Sequence, residues 1–311
     1  MTSKSDIYVC LNGGLGNQLF QFAYGLERKS SGNLILDCFI GNPRWNINNK
    51  IDLEDFNLGE GVVINNEKPN RFLLRLSNYL LSSKLKESQE FSGILFKVTK
   101  AILSFIMSIK NKKLIKIEVA NEVGYYDENK AGENYFIGYF QSYKWSESNK
   151  NLDYLMNLEL KNKSDRYLKL LNEAQKKSKL FVHVRLTDYF HERSIGILKK
   201  NYFQDALNLV DAKKSFEEIW LFSDDTQSAL KYIPFELIDK IKIVDENLTT
   251  AETLQLMRHG DGYIISNSTF SWWASYLRYN RSAKVVAPSP WFIKNNPKLI
   301  IPPEWIAQNR C

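Results

Sequence analysis

The sequence predicts an α/β protein with two domains, each built around a parallel sheet. Three observations lead to this prediction. The chain has 311 residues, more than a single hydrophobic core usually organises. Short apolar runs alternate with segments whose apolar residues recur at helical spacing, as in parallel strands joined by helices. A glycine loop, NGGLGNQ at residues 12–18, lies between the first apolar run and the first helical segment.

The N-terminal part, residues 1–162, forms the first predicted domain. Its pattern is regular up to Phe56, and the polar segment LKNKSD at residues 160–165 is the expected join to the second domain. The elements predicted here are strands at Ile7–Leu11, Leu34–Asp37 and Tyr135–Phe140, and helices at Gln18–Lys29, Phe72–Ser83 and Phe91–Ile109.

The C-terminal part, residues 163–311, alternates more clearly. Its predicted strands are Leu180–Val184, Glu218–Ser223, Ile241–Val244, Tyr263–Ser266 and Lys284–Ala287, and its predicted helices are Asn201–Ala212, Thr226–Lys231, Thr249–Arg258 and Thr269–Tyr279. Thr249 and Glu252 have the spacing of a capping box. In such sheets ligands bind at the carboxyl ends of the strands, so polar residues at those positions are the first candidates for a site.

The net charge of +7 is concentrated in one segment of the first domain. Residues 66–116 contain eleven Lys and Arg against three Asp and Glu, which indicates an anionic surface as a partner. The helix within this basic insert has two interpretations. Its apolar face packs on the core of the protein, or it lies in the interface of an anionic membrane. The residues of that face are Phe91, Leu95, Val98, Ile102, Phe105, Ile106 and Ile109. Nucleic acid is disfavoured as a partner because the charge accompanies aliphatic helices, not aromatic stacking residues.

The sequence favours a cytoplasmic location, with peripheral contact with the inner membrane as a second hypothesis. The N-terminus does not have the pattern of a signal peptide, and no apolar run reaches about 20 residues. The three cysteines, Cys10, Cys38 and Cys311, are odd in number and widely spaced, so no disulfide framework is expected. No Cys/His cluster predicts a metal site.

The loop NGGLGNQ is the first candidate for binding chemistry. Gly14 and Gly16 would let a ligand approach the backbone N–H groups, and the amides of Asn17 and Gln18 suit phosphate oxygens or sugar hydroxyls. The loop does not match G-x-G-x-x-G, since the sixth position from Gly14 is Leu19. A tight strand-to-helix turn therefore remains an equal interpretation.

The segment HVRLTD follows the first strand of the second domain. His183 and Arg185 are two residues apart and share one face of a strand. The planar guanidinium of Arg185 matches phosphate oxygens in pairs, and Asp188 could orient it. The alternative is a surface Arg–Asp pair with little energetic value.

Two further polar segments follow strands of the second domain. In FSDD, Asp224 and Asp225 could bind a base or a ribose, or simply cap the next helix. In SNSTFSWW, Asn267 follows a strand, and Ser268 and Thr269 begin a helix whose N–H groups attract phosphate. Phe270 could stack on a base, whereas Trp272 and Trp273 are expected in the core.

Four segments together resemble the bacterial α-1,2-fucosyltransferases, a group similar to glycosyltransferase family 11. They are GGLGNQLFQFAYG, GYFQSYKW, HVRLTDY and SNSTFSWWASYL, and they extend from Gly13 to Leu277. The resemblance implies a GT-B-like architecture of two facing Rossmann-type domains, the first on the acceptor side and the second binding a GDP-sugar. It implies inverting transfer of L-fucose from GDP-fucose to the 2-hydroxyl of a terminal galactose-type residue, without cofactor or metal. A surface polysaccharide or O-antigen precursor, lipid-linked in one hypothesis, is the acceptor it suggests.

The resemblance also implies roles for individual residues. Arg185 would bind the donor diphosphate, with His183 beside the phosphates or the fucose. The other implied donor contacts are Asn17, Gly14, Gly16, Asp188, Asp224, Asp225, Asn267, Ser268, Thr269 and Phe270, and the implied acceptor-side residues are Gln18 and Gln141. The general base is not among these implied roles: Asp37, at the end of a predicted strand of the first domain, is the one carboxylate considered for it, and a solvated loop acid is the alternative interpretation of Asp37. Leu186 stands where the family usually has a second arginine, and Thr187 where a glycine commonly follows.

Two other functions remain open at this point. The substitution at Leu186 is compatible with a transferase that uses another nucleotide sugar. A carbohydrate-binding scaffold that kept the fold without the activity is the non-enzymatic alternative. The sequence does not identify the acceptor, the general base or the oligomeric state.

Overall fold

The computed structural model describes residues 5–46, 50–85, 92–126, 132–187, 195–244, 247–294 and 296–310. The chain divides into two compact units. Unit 1 comprises Met1–Glu159 with Pro297–Leu299, and unit 2 comprises Leu160–Asn296 with Ile300–Cys311. Each unit contains one sheet in which all the paired strands are parallel. The predicted class, α/β with two Rossmann-type parallel sheets, is therefore confirmed.

The sheet of unit 1 has five strands in the order β3-β2-β1-β5-β4. The strands are β1 (Ile7–Gly13), β2 (Leu34–Pro43), β3 (Val62–Asn65), β4 (Ile117–Val119) and β5 (Tyr135–Ile137). The central strand β1 is buried almost throughout, as expected for a parallel strand covered on both faces. The direction of the strand order reverses between β1 and β5, so the loops after these two strands meet at the switch point where such sheets bind ligands.

Four helices of unit 1 pack around this sheet. They are α1 (Leu15–Arg28), α2 (Arg71–Leu85), α3 (Ser92–Asn111) and α4 (Asn149–Met156), and short 3-10 helices lie at Asp52–Asp55 and Tyr143–Ser146. α1 begins three residues before its predicted start because Gly14, in an extended conformation, is the N-cap. Leu80 of α2 and Leu103 and Met107 of α3 are buried in one cluster with residues of the sheet.

The sheet of unit 2 has six strands in the order β11-β10-β9-β6-β7-β8. The strands are β6 (Lys179–Val184), β7 (Glu218–Ser223), β8 (Ile241–Ile243), β9 (Gly262–Ile264), β10 (Lys284–Ser289) and β11 (Ile306–Asn309). Counted from β6 along the chain, this is the dinucleotide-fold order 3-2-1-4-5-6. The switch point of this unit lies between β6 and β9, and the segments HVRLTD and SNSTFSWW both reach it.

The helices of unit 2 lie before its first strand or between later strands in the chain. They are α5 (Asp165–Ala174), α6 (Lys200–Leu209), α7 (Ala212–Ser215), α8 (Thr226–Ala229), α9 (Thr250–Met257) and α10 (Thr269–Tyr276), with 3-10 helices at Leu230–Tyr232 and Phe235–Lys240. The predicted capping box is confirmed, since Thr249 and Glu252 exchange side-chain to backbone bonds of 3.1 and 3.0 Å. Trp272 and Trp273 of α10 are fully buried, as predicted. These packed residues anchor α10, so its N-terminus has a fixed position at the sheet edge.

Candidate active site

Arg185 lies just after β6, and Asp224 lies just after the neighbouring strand β7. Val184 and Ser223, the last residues of the two strands, are paired in the sheet, so the side chains that follow are close. Arg185 Nε is 3.2 Å from Asp224 Oδ2, and both side chains are largely buried. The sequence pointed to Asp188 as the residue that orients the guanidinium; Asp188 lies outside the described residues. Asp224 is the residue that orients the guanidinium. Its position directly after the neighbouring strand is the sequence signal that could have identified it.

The Asp224 carboxylate also organises the loop that carries Arg185. It accepts the backbone N–H groups of Leu186 at 2.9 Å and Thr187 at 3.0 Å, and it accepts the Thr187 hydroxyl. Burial alone would raise the pKa of Asp224, but the Thr187 hydrogen bond, the Arg185 charge and the two N–H groups lower the pKa below its ordinary value. The carboxylate is therefore ionised at neutral pH and supports Arg185. Its predicted place near guanosine stays a prediction.

Ser266 joins the ends of β6 and β9 at the switch point. Its hydroxyl donates to the His183 carbonyl at 2.8 Å and accepts the Arg185 N–H at 3.0 Å. Ser266 is buried, so this double contact is shielded from water and fixes the backbone on both sides of Arg185. Sequence reasoning did not single out Ser266, although it opens the segment SNSTFSWW.

His183 and Phe270 lie against each other at this edge of the sheet. His183 is buried in β6, and its ring centroid is 6.0 Å from that of Phe270 in the first turn of α10. The predicted roles of His183 beside phosphate or fucose and of Phe270 beside a base stay predictions. The contact shows that the ends of β6 and α10 are adjacent.

The N-terminus of α10 brings backbone donors to the same place. Ser268 is the N-cap, and its hydroxyl does not make the usual capping bond. The N–H groups of the first helical turn have no partners within the helix, and the helix dipole adds a partial positive charge there. Ser268 is two residues from Ser266, whose hydroxyl contacts Arg185. Together, Arg185 and the start of α10 form a site suited to an anion such as a diphosphate.

Two residues predicted to contact the donor make structural hydrogen bonds: Asn267 bonds loop carbonyl groups, and Asp225 caps a helix. The amide nitrogen of Asn267 donates to the carbonyl groups of Ile195, Gly196 and Trp291 at 3.1 to 3.3 Å. Asp225 accepts the Ser228 N–H at 3.0 Å, so the interpretation of Asp225 as a helix N-cap is confirmed, and this bond lowers its pKa. These contacts give both residues structural roles and add no support to their predicted contact with the donor.

The burial of Leu186 accounts for a leucine at the position where the family usually has an arginine. Its side chain is buried in a cluster that includes Val184, Leu198 and Tyr202. Position 186 therefore belongs to the hydrophobic core of unit 2, and a charged side chain at this position would be desolvated.

We expect Leu186→Arg to lower the free energy of unfolding by more than about 3 kcal/mol, because an unpaired charge would enter the core. Leu186→Met is the matched control and should cost less than about 1.5 kcal/mol, since the volume is nearly conserved. Urea unfolding followed by circular dichroism measures both. An arginine variant as stable as the methionine variant would contradict the burial argument.

The glycine loop of unit 1 positions Asn17. Gly13 has a φ of +75°, and a Cβ on it would lie 2.4 Å from Asn17 Nδ2, so only glycine fits. Asn17 Oδ1 accepts the Gln141 side-chain amide at 3.0 Å. Gln141 follows β5, so this bond spans the switch point between β1 and β5. Gly13 thus leaves room for the Asn17 side chain, and Gln141 fixes its amide oxygen. The predicted contacts of Asn17, Gly14, Gly16 and Gln141 with ligands stay predictions.

The structure places Gln18 in the core of unit 1. It is fully buried, its amide nitrogen donates to the Gly13 carbonyl at 3.0 Å, and its amide oxygen accepts the Leu53 N–H at 3.3 Å. One end of the amide therefore stabilises the turn before α1, and the other end ties α1 to the 3-10 helix at Asp52–Asp55. The predicted contact of Gln18 with an acceptor has no support from this position.

The choice of Asp37 as a candidate base is corrected by its burial. β2 continues to Pro43, so Asp37 lies in the middle of the strand and only 1% of it is exposed. Its carboxylate accepts hydrogen bonds from Tyr135, Asn65 and the Phe39 N–H. Burial raises its pKa in spite of these bonds. Asp37 has no surface with which to take a proton from an acceptor, and the alternative of a solvated loop acid is equally wrong.

No metal-binding cluster is found within the part of the chain that the structure describes. There, no three or more His, Cys, Asp or Glu side chains come together in an arrangement that could hold an ion. The positive charge that the described site offers comes from Arg185 and the helix terminus.

The sequence matches one family over almost its entire length. Residues 6–309 match the family described as Glycosyl transferase family 11. The chain belongs to this family. The predicted resemblance is thereby confirmed, and sugar transfer is the class of reaction to which the site geometry must be related.

Relatives and solved structures add further similarities. The chain is 27% identical to an alpha-1,2-colitosyltransferase of Escherichia coli, with 93% of each chain covered. It is 28% identical to the O-antigen biosynthesis glycosyltransferase WbnK of Escherichia coli, covering 96% of this chain and 99% of that one. A solved structure of NodZ alpha-1,6-fucosyltransferase soaked with GDP-fucose aligns with a TM-score of 0.48 and 14% identity, covering 94% of this chain and 97% of that one.

Proposed function

We propose that this protein transfers L-fucose from GDP-fucose to the 2-hydroxyl of a terminal galactose-type residue, with inversion at the anomeric carbon. The observation that carries the proposal is the anion site of unit 2, where Asp224 holds Arg185 and Ser266 links Arg185 to the strand before α10. Membership of glycosyl transferase family 11 supports the reaction class. The name of the colitosyltransferase relative supports an α-1,2 linkage.

The proposed chemistry follows from where charge develops. As the bond between the sugar C1 and the diphosphate breaks, negative charge grows on the leaving oxygen and the sugar becomes cationic. Arg185 and the N–H groups at Ser268 and Thr269 would stabilise that leaving charge, since preorganised donors act best at the atom that gains charge. The acceptor hydroxyl attacks from the opposite face, which inverts the anomeric centre. We propose that the reaction needs neither cofactor nor metal.

The buried support of Arg185 is part of this proposal. A guanidinium that is already oriented before the donor binds need not be ordered during the reaction, which lowers the cost of reaching the transition state. Asp224 provides the orientation through the Nε contact, and Ser266 fixes the backbone. Asn17, oriented by its hydrogen bond from Gln141, is proposed to contact a phosphate or sugar oxygen of the donor.

The direct test supplies purified protein with GDP-fucose and a β-galactoside, in chelator and then with magnesium or manganese. We expect a product one deoxyhexose heavier by mass spectrometry, sensitive to an α-1,2-specific fucosidase, at the same rate in chelator. Release of GDP without transfer would place the error in the acceptor. A protein that is inert until a divalent ion is added would contradict the proposed metal independence.

A different GDP-sugar is the second candidate donor. It is favoured by the similarity to an alpha-1,2-colitosyltransferase and by Leu186 at the position of the usual second arginine. A panel of nucleotide sugars, ranked by kcat/KM, separates the two donors. A carbohydrate-binding scaffold would bind glycan in a calorimetric titration and give no heat with GDP.

The acceptor proposed here is a surface polysaccharide precursor. The support is the name of the second relative, an O-antigen biosynthesis glycosyltransferase. Comparing a free disaccharide with a lipid-linked oligosaccharide of the same terminal sugar tests it. Equal kcat/KM for the two acceptors would show that the enzyme does not recognise the lipid.

We expect Gln141→Met to reduce kcat for transfer by about tenfold, because a lost hydrogen bond of about 1–1.5 kcal/mol would release Asn17 from its orientation. The substitution keeps side-chain length, so the fold should be retained, with a loss of stability no larger than that of the one hydrogen bond. Steady-state kinetics with GDP-fucose measures the effect, and kcat should fall more than KM rises. Unchanged kcat would show that Asn17 is positioned without Gln141, or that it has no role in transfer.

A further inference from the structure

The α3 helix has an apolar face that the protein leaves uncovered. Six of its side chains are exposed, among them Ile94 at 80%, Phe105 at 67% and Ile109 at 63%; the others are Leu95, Val98 and Ile102. At 3.6 residues per turn these six fall within an arc of about 100°. Leu103 and Met107, on the other side of the helix, are the residues buried against the sheet.

This arrangement decides between the two interpretations of the helix. The prediction that its apolar face packs on the protein's own core is wrong for Leu95, Val98, Ile102, Phe105 and Ile109. Ile106 is half-buried, and Phe91 lies outside the described residues. The helix therefore carries two apolar faces, and only one of them contributes to the core of unit 1.

Exposed basic residues accompany this face on α3, just after it and on the neighbouring helix α2. Lys97 on α3 and Lys112 and Lys116 just after it are exposed, and none of the three forms an ion pair with a described residue. Arg71 and Arg75 on α2 are also exposed. Lys110 and Lys113 are paired with Glu67 and Asp6. Apolar side chains in one arc flanked by exposed lysines are the features of a helix that lies in the headgroup region of a bilayer.

We propose that the exposed face of α3 docks on the surface of an anionic phospholipid bilayer. Ile94, Leu95, Val98, Ile102, Phe105 and Ile109 would enter the boundary between headgroups and acyl chains, and the flanking lysines would contact anionic headgroups. Charge argues against a second copy of the chain on this face, since dimerisation would bring two basic segments together. Nor does the helix cross the bilayer: among the described residues, none of the helices is both long enough and apolar enough for that.

Docking has a consequence for the reaction that rests on the proposed function. It would hold unit 1 at the surface on which a lipid-linked acceptor is displayed. Vesicle binding does not depend on donor, acceptor or turnover. A failure of membrane docking can therefore be distinguished from a failure of the proposed function.

The test is flotation of the full-length protein with phosphatidylcholine vesicles, with and without phosphatidylglycerol. We expect binding to the anionic vesicles, weakened by salt, and little binding to the neutral ones. The double variant Ile102→Ser/Phe105→Ser should bind at least about tenfold more weakly, because two side chains lose their apolar transfer. The double variant Lys97→Glu/Lys112→Glu should lose binding through repulsion.

Matched variants in unit 2 show whether position matters. Phe235 is 86% exposed on a 3-10 helix, so Phe235→Ser removes a phenylalanine that is more accessible than Phe105, which is 67% exposed. Lys213→Glu/Lys214→Glu changes the net charge as much as the α3 double variant does, at exposed positions on α7. Both controls should bind vesicles like the parent chain.

Three results would overturn the proposal. The parent chain could fail to bind anionic vesicles at low salt, or the unit 2 variants could lose as much binding as the α3 variants. The protein could instead form a dimer in analytical ultracentrifugation that Ile102→Ser/Phe105→Ser converts to monomer, which would make a second copy the occupant of this face. Circular dichroism of each variant confirms that the fold is retained before binding is compared.

Discussion

Arg185→Lys is expected to reduce kcat/KM for sugar transfer by about 10²–10³-fold, the usual cost of losing one preorganised donor to a developing charge. Lysine keeps the positive charge but lacks the planar fork that can bind a carboxylate and a phosphate together. It would also lose the Nε contact with Asp224 at 3.2 Å. Steady-state kinetics with GDP-fucose and a galactoside acceptor measures the change.

The control for this variant is Arg71→Lys, which makes the same chemical change at an exposed position on α2. It should leave kcat/KM unaltered. GDP affinity by calorimetry should fall in Arg185→Lys and not in the control. Near-normal turnover of Arg185→Lys would remove Arg185 from the proposed stabilisation of the leaving group.

Asp224→Asn is expected to reduce transfer by about 10–100-fold, since a hydrogen bond to a charged group contributes about 1.5–3 kcal/mol. The amide cannot accept all four contacts that the carboxylate makes with Arg185, Leu186 and Thr187. Asp224 acts through Arg185, so GDP affinity should fall together with kcat. The readouts are kcat, KM and the dissociation constant for GDP.

Asp225→Asn is the matched control, one residue along the chain. Asparagine caps helices as well as aspartate does, so the bond to the Ser228 N–H should survive and activity should remain. Equal losses in the two variants would mean that the sequence FSDD tolerates no amide at all, and the specific role of Asp224 would be refuted.

The difference in stability between the parent chain and Asp224→Asn should depend on pH in a defined direction. A carboxylate whose pKa is lowered in the folded state stabilises the protein above its unfolded pKa of about 3.9, and this contribution is lost as the pH falls through the folded value. The stability difference between the parent chain and Asp224→Asn should therefore be constant from neutral pH down to about pH 5 and shrink below about pH 4.

Most strands and helices of unit 2 could be predicted from sequence because their signals are local, whereas α5, α7 and β11 were not predicted. Five apolar runs and a capping box located β6 to β10 and α9, with bounds that differ by a few residues. β3, β4 and β11 were missed; each has four residues or fewer and lies at the edge of its sheet. β8 is as short and also lies at an edge, so length and place in the sheet do not by themselves explain the three misses. Pairing with a neighbouring strand is the further information that such segments need, and it is not local.

The candidate site shows the same limit. Arg185 was found because an arginine directly after a buried strand is unusual, and because ligands of parallel sheets bind at the carboxyl ends of the strands. Its support by Asp224 and Ser266 depends on which strands are neighbours, which the sequence alone does not reveal. Asp37 was misjudged because β2 extends beyond it to Pro43, which changes a strand-end carboxylate into a buried one.

The central claim is that the diphosphate of the donor binds at the switch point of unit 2, and a crystal structure of the protein with GDP tests it most directly. We expect diphosphate oxygens within hydrogen-bonding distance of the Arg185 guanidinium and of the N–H groups at the start of α10. GDP bound elsewhere, with no contact to Arg185, would contradict the account.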